Sequence, residues 1–416
     1  MKPFRTGVLL ALLLLLTPAA AACADDGAGD GEVLVVLGPW LPQKANDEAD
    51  VFTRVIEKYE KSLGVDIDYQ GTRAIGQALR AKVRDGTPPD IAILPTVGEL
   101  VGFANEDLAR PVTTMVGRPS PALGYEVVVD HGALWRGDRA YAVAIKTDLK
   151  SLLIFPQASE TVPPATVAGM TAIDRRQWCL GLGEPSSPGW PGTDWVEDLL
   201  LHQPGGRDSY QQWASGKLAW TSPEVRKAFK DFRDHYVADR DRALLTAPQA
   251  AADALGHGCT AMHQSSYYAQ HGERMFLFPQ SENGLEVSAD FAARFTDNPA
   301  AEKLLEMLTD ENGGLVKNWV EESRDLVYPL RPDEKAYDDE YRSNVAKYLK
   351  NAAARCMDAS DAMPPTVAAA FQNAILEYVA YPTHLTDILD RLQGVQDDVP
   401  LDERLRVHCS KEEPGQ

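Results

Sequence analysis

Beyond its N-terminal stretch the sequence has no run of about 20 apolar residues, the length a helix needs to cross a bilayer. It has no surplus of basic charge. Lys and Arg number 41 against 61 Asp and Glu, a formal net charge of −20. That argues against a nucleic-acid partner, whose phosphates need a basic surface. There is no Gly-Lys-Ser/Thr phosphate loop, no His-Glu-x-x-His and no Gly-x-Ser-x-Gly elbow, so the enzyme classes carried by those motifs drop out. The eight histidines are scattered without ligand spacing. No internal repeat is present. Carboxylates are abundant, so a glycosidase-type pair stays open on composition.

What is present begins with a targeting signal over residues 1–22. Lys2 and Arg5 give a positive start, Val8 to Leu16 is apolar, Thr17-Pro18 breaks the run, and small residues lead to Cys23. This is the order of a bacterial secretory signal ending in a lipidation cysteine. Ala20 stands where a larger aliphatic residue is usual, so an ordinary signal with an unmodified Cys23 is the alternative. Residues 23–32, small and acidic, read as a flexible tether. The roughly 390 residues that follow exceed one usual hydrophobic core, which predicts two lobes. With Cys23 lipidated, Cys179, Cys259, Cys356 and Cys409 remain. An even number in an exported chain predicts two disulfides, with three connectivities open. None has the close spacing of a zinc site.

The first lobe reads as βαβαβ. Val33 to Gly38 is a buried strand. Val51, Phe52, Val55, Ile56, Tyr59 and Leu63 share one helical face, ended by Gly64. Val65 to Tyr69 alternates as a strand does. Ile75, Leu79 and Val83 mark a second helix, and Asp90 to Leu94 a third strand. Such crossovers give a parallel sheet, and ligands bind outside the carboxyl ends of its strands. Those ends carry Gly38-Pro39-Trp40, Gly71-Thr72-Arg73 and Pro95-Thr96. Further on, Trp178 to Leu182, Cys259 to His263 and Met275 to Phe278 look like strands. A helix is expected to begin at Thr193 or Asp194, both good N-caps. Asn298 to Leu308, Thr366 to Ala380 and Leu385 to Leu392 carry helical apolar faces.

Three segments look specialised, each with a plainer alternative. In Gly189-Trp190-Pro191-Gly192-Thr193-Asp194-Trp195, an indole can stack on the C–H face of a sugar while Thr193 and Asp194 hold its hydroxyls. Alternatively, one tryptophan is core and Asp194 only a cap. In Asp358-Ala359-Ser360-Asp361, two carboxylates can accept from adjacent hydroxyls, or Ser360 or Asp361 can cap the next helix. Arg73 can hold a hydroxyl pair or a carboxylate, or form a structural ion pair.

Together with Gly86-Thr87-Pro88-Pro89-Asp90-Ile91-Ala92, Lys150-Ser151-Leu152, Trp178-Cys179-Leu180-Gly181, Cys259 and Gln264-Ser265, these segments resemble the family 1 extracellular solute-binding proteins of carbohydrate ABC importers. The likeness is nearest to the alpha-glucoside-binding lipoproteins. Two positions depart from the pattern: Ile154-Phe155 after the Lys-Ser crossing, and the loop Gly38 to Asp47. The resemblance implies an α/β, two-lobed periplasmic-binding-protein-like type II fold with the ligand cleft between lobes. The boundaries expected are 33–146 plus 275–330 for lobe 1, and 147–274 plus 331–410 for lobe 2. It implies capture of a saccharide (an alpha-glucoside, a disaccharide or a sugar-derived osmolyte) by lobe closure and delivery to permease subunits. ATP hydrolysis would belong to a separate subunit. The ligand set expected is Trp40, Thr72, Arg73, Trp190, Thr193, Asp194, Trp195, Gln264, Asp358 and Asp361, with no catalytic residue, metal or cofactor. The protein would be a monomer on the outer face of the membrane, held through Cys23. The resemblance also implies a Cys179–Cys259 bridge; Cys356 and Cys409 lie outside its pattern and are paired as the two that remain. The rival functions are a secreted glycoside-active enzyme using Asp194, Asp358 or Asp361, and a ligand-sensing lipoprotein.

Overall fold

The computed structural model describes residues 32–41, 47–112, 135–136, 139–184, 188–268, 273–310, 313–323, 327–330 and 332–410. The expected signal, Cys23 and nearly all of the tether lie outside them. From Glu32 onward the chain is one compact unit. No helix among the described residues is long and apolar enough to cross a membrane.

Among the described residues, twelve strands form the sheets. In chain order they are β1 Val33–Gly38, β2 Asp66–Gly71, β3 Ile91–Leu94, β4 Trp135–Arg136, β5 Arg139–Ala140 and β6 Val143–Leu149, then β7 Leu152–Phe155, β8 Met262–His263, β9 Arg274–Leu277, β10 Leu285–Arg294, β11 Arg355–Met357 and β12 Cys409–Ser410. The expected βαβαβ is there. β1 runs parallel to both β2 and β3, with Val33 opposite Asp66 and Val36 opposite Ile91. The helix Glu48–Glu57 begins where the Asp47 carboxylate accepts from the Asp50 N–H at 2.9 Å. It buries Val51, Phe52, Val55 and Ile56. The apolar stripe continues into a short helix, Glu60–Leu63, which Gly64 ends at φ 77°. Asp90, just before β3, ties the sheet locally: its carboxylate accepts from the Val35 N–H at 2.8 Å and from the Thr296 hydroxyl.

The sheet is completed by β10, the longest of the described strands. Leu285 to Val287 pairs parallel with β11, and Phe291 to Arg294 pairs antiparallel with β3. β6 lies antiparallel along its other edge, with a bulge between Asp290 and Phe291. β7 is the centre of a second sheet, flanked antiparallel by β8 and β9. Both disulfides are as expected, Cys179–Cys259 and Cys356–Cys409. The second joins facing residues of β11 and β12.

Three expectations need correction. Trp178 to Leu182 makes no strand, only the single bridge of Trp178 to Ala261; its place is held by the Cys179–Cys259 link. Met275 to Leu277 is strand, but it pairs with Leu152 to Ile154, a segment expected in the other lobe. The helix expected from Thr193 or Asp194 spans Trp190–Leu201 instead. Gly189 starts it at φ 88°, and a Cβ there would stand 2.6 Å from the Gln372 carbonyl oxygen. Only glycine fits, so the start is fixed one turn earlier than the capping residues suggest.

Candidate functional site

That earlier start decides which side chains of the Gly189 to Trp195 segment act together. At 100° per residue, Trp190 and Asp194 share a face, whereas Trp195 is turned about 140° from Trp190. Trp190 is half-buried. Trp195 is 1% exposed, stacked on Tyr236 at 4.1 Å and edge-on to Trp178 at 5.1 Å and His263 at 4.6 Å. The expectation that Trp195 lines a cleft is therefore corrected: it is a core residue, held by aromatic contacts on several sides. Thr193 is buried as well, its hydroxyl donating to the Trp190 carbonyl at 2.7 Å.

Trp190 and Asp194 both meet Lys150. The Lys150 ammonium lies 4.9 Å from the Trp190 ring centroid, 3.1 Å from the Asp194 carboxylate and 3.1 Å from that of Asp358. Asp358 caps the short helix Ala359–Ala362. Its Oδ1 accepts from the Asp361 N–H at 3.0 Å and from the Ser360 hydroxyl at 2.7 Å. Neither Ser360 nor Asp361 caps the next helix, Pro365–Ala380, which has no side-chain cap; it is Asp358 that caps, on the short helix before it, and the same carboxylate also binds Lys150. The carboxylates of Asp194, Glu286 and Asp358 lie within 4.8 Å of one another, with the Lys150 ammonium as counter-charge. The Glu286 carboxyl and Asp194 Oδ1 find no hydrogen-bond partner among the described residues.

A second buried lysine sits four residues earlier. Lys146 contacts Glu48 at 2.7 Å, Asp148 at 3.2 Å and Asp290 at 3.3 Å. Residues 146 and 148 point to one side of β6, since side chains alternate along a strand. Trp40 and Tyr267 lie near the Lys146 ammonium, with ring centroids at 5.6 and 6.0 Å. Trp40 itself is 5% exposed and wedged against Phe52, Tyr69 and Trp319. It is a floor, not a free stacking face.

An aromatic run links the two lysines. Trp190 stacks on Tyr268 at 5.7 Å, and Tyr268 meets Tyr267 edge-on at 5.0 Å. Arg73 hydrogen-bonds to Tyr267, so the exposed Arg73 of the first segment is brought to the middle of the chain. Thr72 is half-buried, with its hydroxyl accepting from the Ala74 N–H at 3.2 Å. Gln264 is buried beside this run in sequence, and its Oε1 has no hydrogen-bond partner among the described residues.

Burial governs the titrations. It pushes the Glu48 and Asp194 carboxyls up to about 7, against the pull of Lys146 and Lys150 respectively. Burial also raises the Glu286 and Asp361 carboxyls well above their ordinary range, with neighbouring carboxylates adding to it. For Lys146 and Lys150 burial works downward, but the surrounding carboxylates more than reverse it. Both lysines stay charged.

Sequence reasoning missed Lys146, Glu48, Asp290, Tyr267 and Tyr268, and used Lys150 only as a crossing point. The available signal was Lys146-Thr147-Asp148-Leu149-Lys150, charge at every second residue inside an apolar strand.

No family model matches the chain. It is 26% identical over 391 residues to the alpha-glucosides-binding periplasmic protein AglE of Rhizobium meliloti, covering 84% of each chain. It is 23% identical over 423 residues to the osmoprotective compounds-binding protein GgtB of Synechocystis, covering 91% of this chain and 96% of that one. Among solved structures, the bacterial solute receptor AcbH superposes with a TM-score of 0.68 at 17% identity, over 88% of this chain and 98% of that one. A chitin oligosaccharide binding protein does so with a TM-score of 0.69 at 16% identity, over 89% and 99%. The resemblance to solute-binding proteins holds in both comparisons, and the two-lobed α/β fold is that of the solved structures.

Proposed function

We propose that this protein is the substrate-binding component of an ABC importer. It captures a saccharide, whether an alpha-glucoside, a disaccharide or a sugar-derived osmolyte, and delivers it as a monomer to a permease. The relatives named above support this reading. The observation that carries it is the run Lys150, Trp190, Tyr268, Tyr267, Arg73, in which three aromatic rings are flanked by two cationic groups and residues far apart in the chain converge. That is the chemistry a sugar needs: a flat face for its C–H side and fixed partners for its hydroxyls. Lobe closure supplies the mechanism, since contacts from both sides stabilise the closed form. We place the lobe crossing within β10 and not at residue 275, because β9 pairs with β7. Of the expected ligand set, Arg73, Thr72, Trp190, Asp194, Gln264, Asp358 and Asp361 remain, joined by Tyr267 and Tyr268.

The test is a thermal-shift panel of methyl α-glucoside, maltose, trehalose and glucosylglycerol. At a hundredfold excess over Kd a true ligand stabilises the native state by about 2.7 kcal/mol. Trp190→Ala should abolish that shift and leave the ligand-free Tm nearly unchanged. Trp195→Ala should instead cost the free protein about 3–5 kcal/mol, as a core truncation does. A panel that produces no shift would sink the reading, and release of a cleaved sugar would turn it to an enzyme.

We further propose that export leaves the protein on the outer face of the membrane, anchored by lipid on Cys23. Cys23→Ser should move it from the membrane fraction to the medium. A wild type already free in the medium removes the anchor.

A further inference from the structure

We propose that Asp198 is a positioning residue of the cleft, and that its carboxyl shares a buried proton with His263. The pair fixes the helix Trp190–Leu201 to the junction of β6 and β7 and to the start of β10. Its role in binding rests on the reading of the cleft as a sugar site; the proton does not.

The spacing comes first. Trp190, Asp194, Asp198 and His202 stand four residues apart, so they form one stripe along the helix. The stripe docks turn by turn. Asp194 meets Lys150 at 3.1 Å. One turn on, Asp198 Oδ1 accepts from the Ser151 hydroxyl at 2.5 Å. That hydroxyl accepts in turn from the Glu286 N–H of β10 at 2.7 Å. At the helix end, His202 places Nδ1 2.8 Å from the Asp198 carbonyl oxygen and Nε2 3.2 Å from that of Gly284. Trp190 and Asp194, which the sugar reading needs, are set by these two turns behind them.

The proton follows from counting donors. His263 Nδ1 lies 2.9 Å from the Leu152 carbonyl oxygen. A carbonyl only accepts, so Nδ1 carries the hydrogen, and Nε2 of the neutral ring is an acceptor. It faces Asp198 Oδ2 at 3.3 Å. Neither atom has a hydrogen-bond partner among the described residues. Two buried acceptors left facing each other are costly; a proton between them turns the conflict into a bond. Asp198, His202 and His263 are all buried. The charged groups facing them are Lys150, Asp194, Asp358 and Glu286, with Glu282 toward His202. Burial pushes both imidazoles down to about 4. It lifts the Asp198 carboxyl well above its ordinary 3.8, with Asp194 and Asp358 adding to the rise against the pull of Ser151 and Lys150. The proton therefore rests on Asp198, which donates it to His263 Nε2.

The experiment uses the full mature chain and Asp198→Asn. The amide reproduces the protonated carboxyl, since its N–H can donate to Nε2 while its oxygen accepts from Ser151. Above about pH 4 the unfolded Asp198 is ionised, so wild-type folding takes up one proton here and the variant none. Chemical denaturation between pH 5 and 8 counts that proton. The wild type's folding constant should fall relative to the variant's by about tenfold per pH unit, until the folded carboxyl titrates. Nitrogen-15 NMR of histidine-labelled wild type places the proton: both rings should be neutral at pH 7, with His263 as the Nδ1–H tautomer. A stability difference that is flat with pH, or an imidazolium signal from either ring, overturns the shared proton. Calorimetry with the four panel sugars tests the positioning. Asp198→Leu, which makes neither bond, should weaken any sugar the wild type binds by at least about tenfold, and Asp198→Asn by less than about threefold. Equal affinities in wild type and Asp198→Leu overturn the positioning role. Should Asp198→Leu not fold, Ser151→Ala removes one of the two bonds, and about three- to tenfold weaker binding is expected; unchanged binding overturns the role. If the wild type binds none of the four, the importer reading falls, while denaturation and NMR still decide the proton.

Discussion

Lys150→Ala is expected to cost the protein about 3–5 kcal/mol, the penalty for stranding buried charge when one partner of an ion pair is removed. The substitution leaves Asp194, Glu286 and Asp358 within 4.8 Å of one another with no counter-charge. Lys150→Met, which keeps most of the volume, should fare no better, because the loss is electrostatic. Chemical denaturation at fixed pH measures it; a loss under 1 kcal/mol would mean the carboxylates simply take up protons at no cost. The pH dependence has a definite sign. The Asp194 carboxyl rises from its ordinary 3.8 to about 7 and that of Glu48 from 4.5 to about 7. Their folded forms hold protons that the unfolded chain has lost, so their contribution is complete below about pH 4 and is lost as pH climbs to 7. The deficit of Lys150→Ala should accordingly be smaller at pH 5 than at pH 8.

Removal of the disulfides comes next in size. Cys179 and Cys259 are 80 residues apart, Cys356 and Cys409 53. Loops of this length correspond to about 4 kcal/mol each in the chain-entropy model. Without Cys179–Cys259, the segment from Trp178 to Leu182 is held by the Trp178–Ala261 bridge, by the hydrogen bond of the Leu182 N–H to the Ala243 carbonyl and by the packing of Trp178 on Trp195 and Tyr236. Without Cys356–Cys409, β12 keeps two residue pairs with β11. Paired Cys→Ser variants should show both losses in denaturant midpoints. Peptide mapping without reduction checks the connectivity, and a Cys179–Cys356 peptide would contradict it.

The N-terminal βαβαβ was legible because its signals are local: a continuous apolar run for β1, a helical stripe through Val51, Phe52, Val55 and Ile56, and Gly64 as a stop. The number of disulfides was legible in the cysteine count; the Cys179–Cys259 pairing came from the resemblance, and Cys356–Cys409 was left as the remaining pair. The heart of the site was not legible, because its ion pairs join distant residues. Lys146 reaches Glu48 across 98 positions and Lys150 reaches Asp194 across 44. The tryptophans failed for another reason. Trp190 and Trp195 look equivalent until the helix start is known, and that start rests on the contact of Gly189 with the Gln372 backbone. Thr193 and Asp194 read as caps by residue type; the packing of Gly189 overrode that preference.

The pairing of β6 with β10 has a consequence for how the chain tolerates change. β6 carries Lys146 and leads straight into Lys150, and β10 carries Glu286 and Asp290 opposite that stretch, in a register shifted at Asp290 and Phe291. Side chains alternate along such a ribbon, so position is counted in twos. Inserting or deleting one residue between 146 and 150 would send one lysine to the wrong face and strand its carboxylates, whereas a change of two keeps the parity. This ribbon behaves like a toothed rack. Its substitutions can be gradual, but its length can drift only in whole teeth.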